Sequence, residues 1–166
     1  MSIVIRLLFL LIIFLICFLM RKKAIGGWLL FYFISIFLSA FVWLAIAIPS
    51  FFLLIPSSWH DTGRYLLYFA MVMPNYFLFW AQTCISIMLI FQRFRDWKYV
   101  NYLRIALLSQ IIFLLILLPI DICFFRESAI FDIVGLVYPT IWLSYFTFSR
   151  RVRSVYEKKD WGLKSA

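Results

Sequence analysis

The sequence predicts an all-α fold: a polytopic membrane bundle of about five transmembrane helices, N-terminus outside and C-terminus cytoplasmic. Three observations carry that expectation. Of the 166 residues, 66% are hydrophobic and only 14% charged, and the mean hydropathy is +1.03. A soluble domain carries about 25% charged residues and has no interior able to hide so much apolar surface. The apolar residues fall into five long runs, each close to the ~20 residues with which a helix crosses a bilayer. The basic residues then alternate sides. Of the 16 lysines and arginines, all but Arg6, Arg64 and Arg126 fall on one side of a five-span arrangement, and the basic side of a membrane protein faces the cytoplasm.

The first span is predicted over residues 3–20, interrupted only by Arg6. A secretory signal peptide is the competing reading. Arg21, Lys22 and Lys23 stand where a cleavage site would need small residues, so the run reads as an uncleaved anchor. The greater positive charge after it puts the N-terminus outside, and Arg6 can snorkel to the external interface. The second span is predicted over 27–49, opening at Gly26-Gly27-Trp28-Leu29 and ending at Pro49-Ser50. A polar stretch over 56–64 follows. The third span covers 65–91, with Pro74 inside it to remove one helical hydrogen bond and kink the axis. The basic stretch containing Arg93, Arg95 and Lys98 leads to the fourth span, 103–120, closed at Pro119. A mixed stretch holds Asp121, Arg126, Glu127 and Asp132. The fifth span, 133–148, runs directly into Arg150, Arg151 and Arg153. Residues 149–166 read as a polar cytoplasmic tail, and the whole chain as one domain.

Composition also bounds function. A net charge of +9 would suit nucleic acid, but a nucleic-acid face needs a basic patch in water. Here the charges sit in short clusters between apolar runs, and no nucleic-acid partner is expected. Arg21, Lys22, Lys23, Arg93, Arg95, Lys98, Arg150, Arg151 and Arg153 read as topogenic charges or contacts to anionic lipid headgroups. Cys17, Cys84 and Cys123 form no CxxC pair, so neither a disulfide nor a metal site is expected. Trp28, Trp59, Trp97 and Tyr102 fall at interfaces, where amphipathic rings anchor a span.

Two stretches carry a resemblance. The opening Ile25-Gly26-Gly27-Trp28-Leu29 and the closing Ile141-Trp142-Leu143-Ser144-Tyr145-Phe146, with Ser149-Arg150-Arg151-Val152-Arg153, together resemble a bacterial domain-of-unknown-function family of small four-helix inner-membrane proteins. The likeness covers about residues 25–156, and the first run would be an addition to the usual four helices. It implies fold and location, a bacterial inner membrane. It implies no catalytic role.

Chemistry-bearing residues are few. His60, the one histidine, neighbours Asp61. A metal site needs three or four ligands, so the pair reads as a loop feature without cofactor or metal. A membrane enzyme acting on lipid at that dyad is the weakest reading. No Asp, Glu, Lys or Arg lies near the middle of runs two to five, which argues against proton coupling or ion pumping. Neutral polar groups do lie at depth. Asn75, Gln82 and Ser86 share one helical face. Ser109 and Gln110 lie about two turns into run four, and Gln82 and Gln110 can bond across adjacent helices. Interhelical contact is the simpler reading of these five, and a polar groove the sharper one. The expected function is therefore non-enzymatic: an accessory or structural subunit working through helix-to-helix contact with a membrane partner or with a second copy. A small oligomeric transporter or channel, with a neutral path through Asn75, Gln82, Ser109 and Gln110, is the alternative.

Overall fold

A computed structural model describes residues 3–22, 25–50, 55, 62–91, 96–124 and 129–158. The described residues are helical almost throughout and contain no strand. Helix α1 spans Ile3–Leu19 and passes into a turn of 3-10 helix, Met20–Lys22. Then come α2 (Trp28–Ser50), α3 (Thr62–Ile90), α4 (Trp97–Phe124), α5 (Ala129–Phe148) and the short α6 (Arg150–Tyr156).

The helix ends have local causes. Gly27 adopts φ +59°, a left-handed conformation that costs a side-chain-bearing residue roughly 1–2 kcal/mol. From there its N–H donates to the Cys17 carbonyl at the end of α1 (3.1 Å), and its own carbonyl receives Phe31 N–H (3.0 Å) to open α2. Asp96 starts α4: its carboxylate accepts from Lys98 N–H (3.4 Å) and its carbonyl from Tyr99 N–H (3.0 Å). Ser149 breaks α5 from α6. Its backbone is extended (φ −69°, ψ 120°) and its hydroxyl accepts from Val152 N–H.

Helices α3, α4 and α5 run through Pro74, Pro119 and Pro139. The fourth element therefore does not close at Pro119. It continues to Phe124 and carries Asp121, which is buried, inside the helix. Losing one backbone hydrogen bond at proline costs less than unwinding several turns in apolar surroundings. The start of the expected tail is also folded. Val152, Val155 and Tyr156 of α6 are buried in the core, because each lies on the face of α6 turned to the other helices.

Successive helices α2 to α5 run antiparallel. The most extensive contacts join α4 to α5 and α3 to α4, while α2 rests on α3 and α1 on α2. The core gathers at one end, where α2 and α4 begin and α3 and α5 finish. It includes Leu29, Tyr32 and Ile36 of α2, Leu89 of α3, Val100, Leu103 and Leu107 of α4, and Trp142 and Phe146 of α5. Tyr32 is its hub, edge-on to Trp142 (4.9 Å between centroids) and to Phe146 (4.8 Å).

The surface is the reverse of a soluble protein's. Phe41 is 71% exposed, Phe77 74% and Leu115 54%, whereas Gln82 is 1% exposed and Ser86 fully enclosed. Two stretches, Tyr65–Ile90 and Trp97–Cys123, are long and apolar enough to cross a membrane, with mean hydropathies of 1.2 and 2.5.

Candidate functional site

The polar residues at depth form one connected seam across four helices. On α3, Asn75, Gln82 and Ser86 repeat at intervals of seven and four and therefore face the same way. Gln110 of α4 meets them. Gln82 Nε2 donates to Gln110 Oε1 (2.7 Å) and to the Ala106 carbonyl (3.3 Å). Gln110 Nε2 in turn donates to Asn75 Oδ1 (3.4 Å). One turn further along α3, Ser86 Oγ donates to the Gln82 carbonyl (2.6 Å) and shares a hydrogen bond with the Tyr32 hydroxyl of α2 (2.9 Å). Ser35 Oγ extends the line, donating to the Tyr32 carbonyl (2.8 Å) and lying 3.2 Å from the Tyr138 hydroxyl of α5.

Each residue in this line is joined to the next by at least one hydrogen bond within the protein. A seam of this kind holds helices in register, because a polar group slipped into hydrocarbon would lose its partner. The Ser109 hydroxyl makes no side-chain hydrogen bond among the described residues. It is one position, about 100° of helix, from Gln110, so it is turned aside when Gln110 faces α3. Tyr32, Ser35 and Tyr138 complete the seam and were not expected from the sequence. The spacing of Tyr32 and Ser35, three apart on one face of α2, is the signal that could have pointed to them.

The basic residues gather at the same end as the core. Arg104 donates through Nε (3.1 Å) and Nη2 to the Phe146 carbonyl, and through Nη1 to Asn101 Oδ1 (3.1 Å). Its guanidinium also lies 4.4 Å from the Trp97 ring centroid. It thus satisfies a last-turn carbonyl of α5 with a cation. Arg21 stacks over Phe18 at 4.3 Å, and Lys98 lies over Tyr102 at 5.8 Å. Lys22, Arg150 and Arg153 are exposed, while Arg151 is half-buried beside Gly27. Tyr156 Oη donates to the Leu89 carbonyl (3.4 Å), tying α6 to the end of α3. Lys23, Arg93 and Arg95, and the His60–Asp61 pair, lie outside the described residues.

The residues near both ends of the chain meet here. Leu29 and Tyr32, just inside α2, pack with Trp142, Phe146 and Val152 in one core. In comparison with protein families, the chain matches the DUF2569 family, described as a protein of unknown function, over residues 22–157.

The chain belongs to the DUF2569 family.

The DUF2569 match takes in α2 through α6 and begins at the last residue of the 3-10 turn, so α1 lies outside it. Neither the curated proteins nor the solved structures gave a match to the chain. The seam and the basic end of this DUF2569 chain therefore stand on their own geometry.

Proposed function

We propose that the chain is a non-enzymatic, five-span protein of the bacterial inner membrane, with its N-terminus outside and its C-terminus in the cytoplasm. It serves as an accessory or structural subunit through helix-to-helix contact with a membrane partner or a second copy. The observation that carries this reading is the inverted surface. Large apolar side chains face outward on all five long helices, while Gln82 and Ser86 of α3 face inward and bond Gln110 of α4 and Tyr32 of α2. Lipid tails and the apolar faces of other helices are the surroundings that suit such an exterior. The gathering of Arg21, Lys98, Arg104, Arg150 and Arg153 at one end supports a cytoplasmic placement of that end.

The internal satisfaction of the seam favours contact over conduction. A path for solutes would leave Gln82 or Gln110 turned to a lumen, whereas both are spent on protein partners. The test is the intact mass of the assembly extracted in a gentle detergent. A defined complex of fixed stoichiometry, with a partner or with itself, is expected. A lone monomer, or turnover of a substrate by the purified chain, would end the accessory-subunit reading. For the transporter alternative, reconstituted vesicles decide: flux that Gln82→Leu and Gln110→Leu abolish while the assembly stays intact would establish the path.

A further inference from the structure

Helices α1 and α2 and the junction of α5 with α6 enclose a half-open cavity of about 330 Å³, within the ~300–1,000 Å³ range of small-molecule sites. Its two sides differ in chemistry. One is aromatic, built from Phe14 and Phe18 of α1 and Phe31 of α2, with Trp28 at its edge. The other carries Arg21, Arg151, Ser149 and Tyr145. No carboxylate lines it among the described residues.

Gly27 forms the floor between the two arginines. A Cβ there would lie 3.5 Å from Arg151 Nη1 and 3.7 Å from Arg21 Cβ. Both arginines line the cavity on either side of this glycine. Arg151 Nε is enclosed, so this guanidinium is held rather than free to wander into solvent. Tyr145 Oη is enclosed beside Ser149 and Arg151 without a hydrogen bond of good geometry. An exposed Arg21, a held Arg151 and the enclosed Tyr145 hydroxyl beside an aromatic slot suit a ligand with an anionic, oxygen-rich head and an apolar tail. Guanidinium forks match phosphate oxygens in pairs.

We propose that this cavity binds an anionic glycerophospholipid. The phosphate sits between Arg21 and Arg151, with the Tyr145 hydroxyl donating to one of its oxygens. The first methylenes of an acyl chain lie along Phe14, Phe18 and Phe31. The site lies at the basic end of the bundle, the level at which headgroups stand if that end meets the cytoplasmic leaflet. The proposal rests on the membrane placement given above but not on the accessory role.

The test is native mass spectrometry of the full chain, purified in a neutral detergent and titrated with phosphatidylglycerol, phosphatidylcholine or glycerol 3-phosphate. One phosphatidylglycerol is expected to stay bound in preference to phosphatidylcholine. Arg21→Gln and Arg151→Gln should each weaken retention by about tenfold, the scale of one lost charged hydrogen-bonding partner. Arg151→Lys, which keeps the charge but loses the fork, should fall between. Arg153→Gln, on an exposed residue of the same basic end, should change nothing. Equal retention of the two lipids would overturn the site, as would Arg21→Gln and Arg151→Gln variants that behave like Arg153→Gln. Glycerol 3-phosphate competing as well as the lipid would show that a free phosphate ester, and not a lipid, is the ligand. If Arg151→Gln does not fold, the exposed Arg21 decides. Recovery of the chain in the soluble fraction would sink the membrane placement itself, separately from the lipid site.

Discussion

Gln82 is the residue through which most of the seam is connected. It is almost wholly buried and reaches Gln110 and Ala106, while its carbonyl receives Ser86. Interhelical hydrogen bonds inside membrane bundles are worth only ~0.6 kcal/mol on average, with the largest near 1.7. Gln82→Leu should therefore cost about 1 kcal/mol in a reversible unfolding titration in mixed micelles. The Gln82→Leu/Gln110→Leu double variant should cost less than the sum of the singles, with a coupling of ~0.6 kcal/mol. Strict additivity would mean that the amide contact carries no stability. The partnership of these two residues was legible from their depth in neighbouring runs. The share taken by Tyr32, Ser35 and Tyr138 was not, because tyrosine and serine are common enough in apolar helices that their position alone does not mark a network. Gly27 is the other decisive position. Gly27→Ala should destabilise by about 1–2 kcal/mol, since alanine must adopt φ +59° there; an unchanged midpoint would show that the turn re-forms without strain.

Among the elements, α6 departs furthest from what the sequence suggests. Three arginines in four positions read as a charged tail, and that density hides Val152, Val155 and Tyr156, which lie three and four residues apart on one buried face. The period is short, and seven residues of helix give too few repeats to stand out from a polar background. Packing rather than propensity holds the element, because so short a helix is not stable alone. Tyr156→Ala should cost roughly 3–5 kcal/mol, as truncation of a buried aromatic does. It should raise hydrogen exchange at the ends of α3 and α6 first, since Tyr156 Oη meets the Leu89 carbonyl. Tyr156→Phe, which removes the hydroxyl and its bond to the Leu89 carbonyl, should cost about 1 kcal/mol. Exchange that rises evenly over all helices would contradict a local clasp. The run of α4 through Pro119 has a related cause. Proline marks helix ends in water, but in apolar surroundings the neighbouring backbone has no better partners than the helix itself.

For the molecule as a whole, composition alone indicated helices and an apolar exterior, and the all-helical architecture follows it. The meeting of Leu29 and Tyr32 with Trp142, Phe146 and Val152 was beyond reach, because nearly every face of these helices is apolar and periodicity cannot say which ones touch. The same difficulty hid Arg104. Its place near the start of a span reads as a loop charge, whereas its contact with the Phe146 carbonyl joins α4 to α5. The proposed placement is that of an inverted bundle whose basic end faces the cytoplasm. Its most direct test is the labelling of single cysteines with a membrane-impermeant maleimide, in a variant whose native Cys17, Cys84 and Cys123 are replaced by serine or alanine. A Ser57→Cys probe between the second and third spans should react when the reagent is added outside the membrane. A Lys158→Cys probe just beyond α6 should react only after permeabilisation. Both probes reacting from outside, or the two exchanging behaviour, would contradict the five-span arrangement.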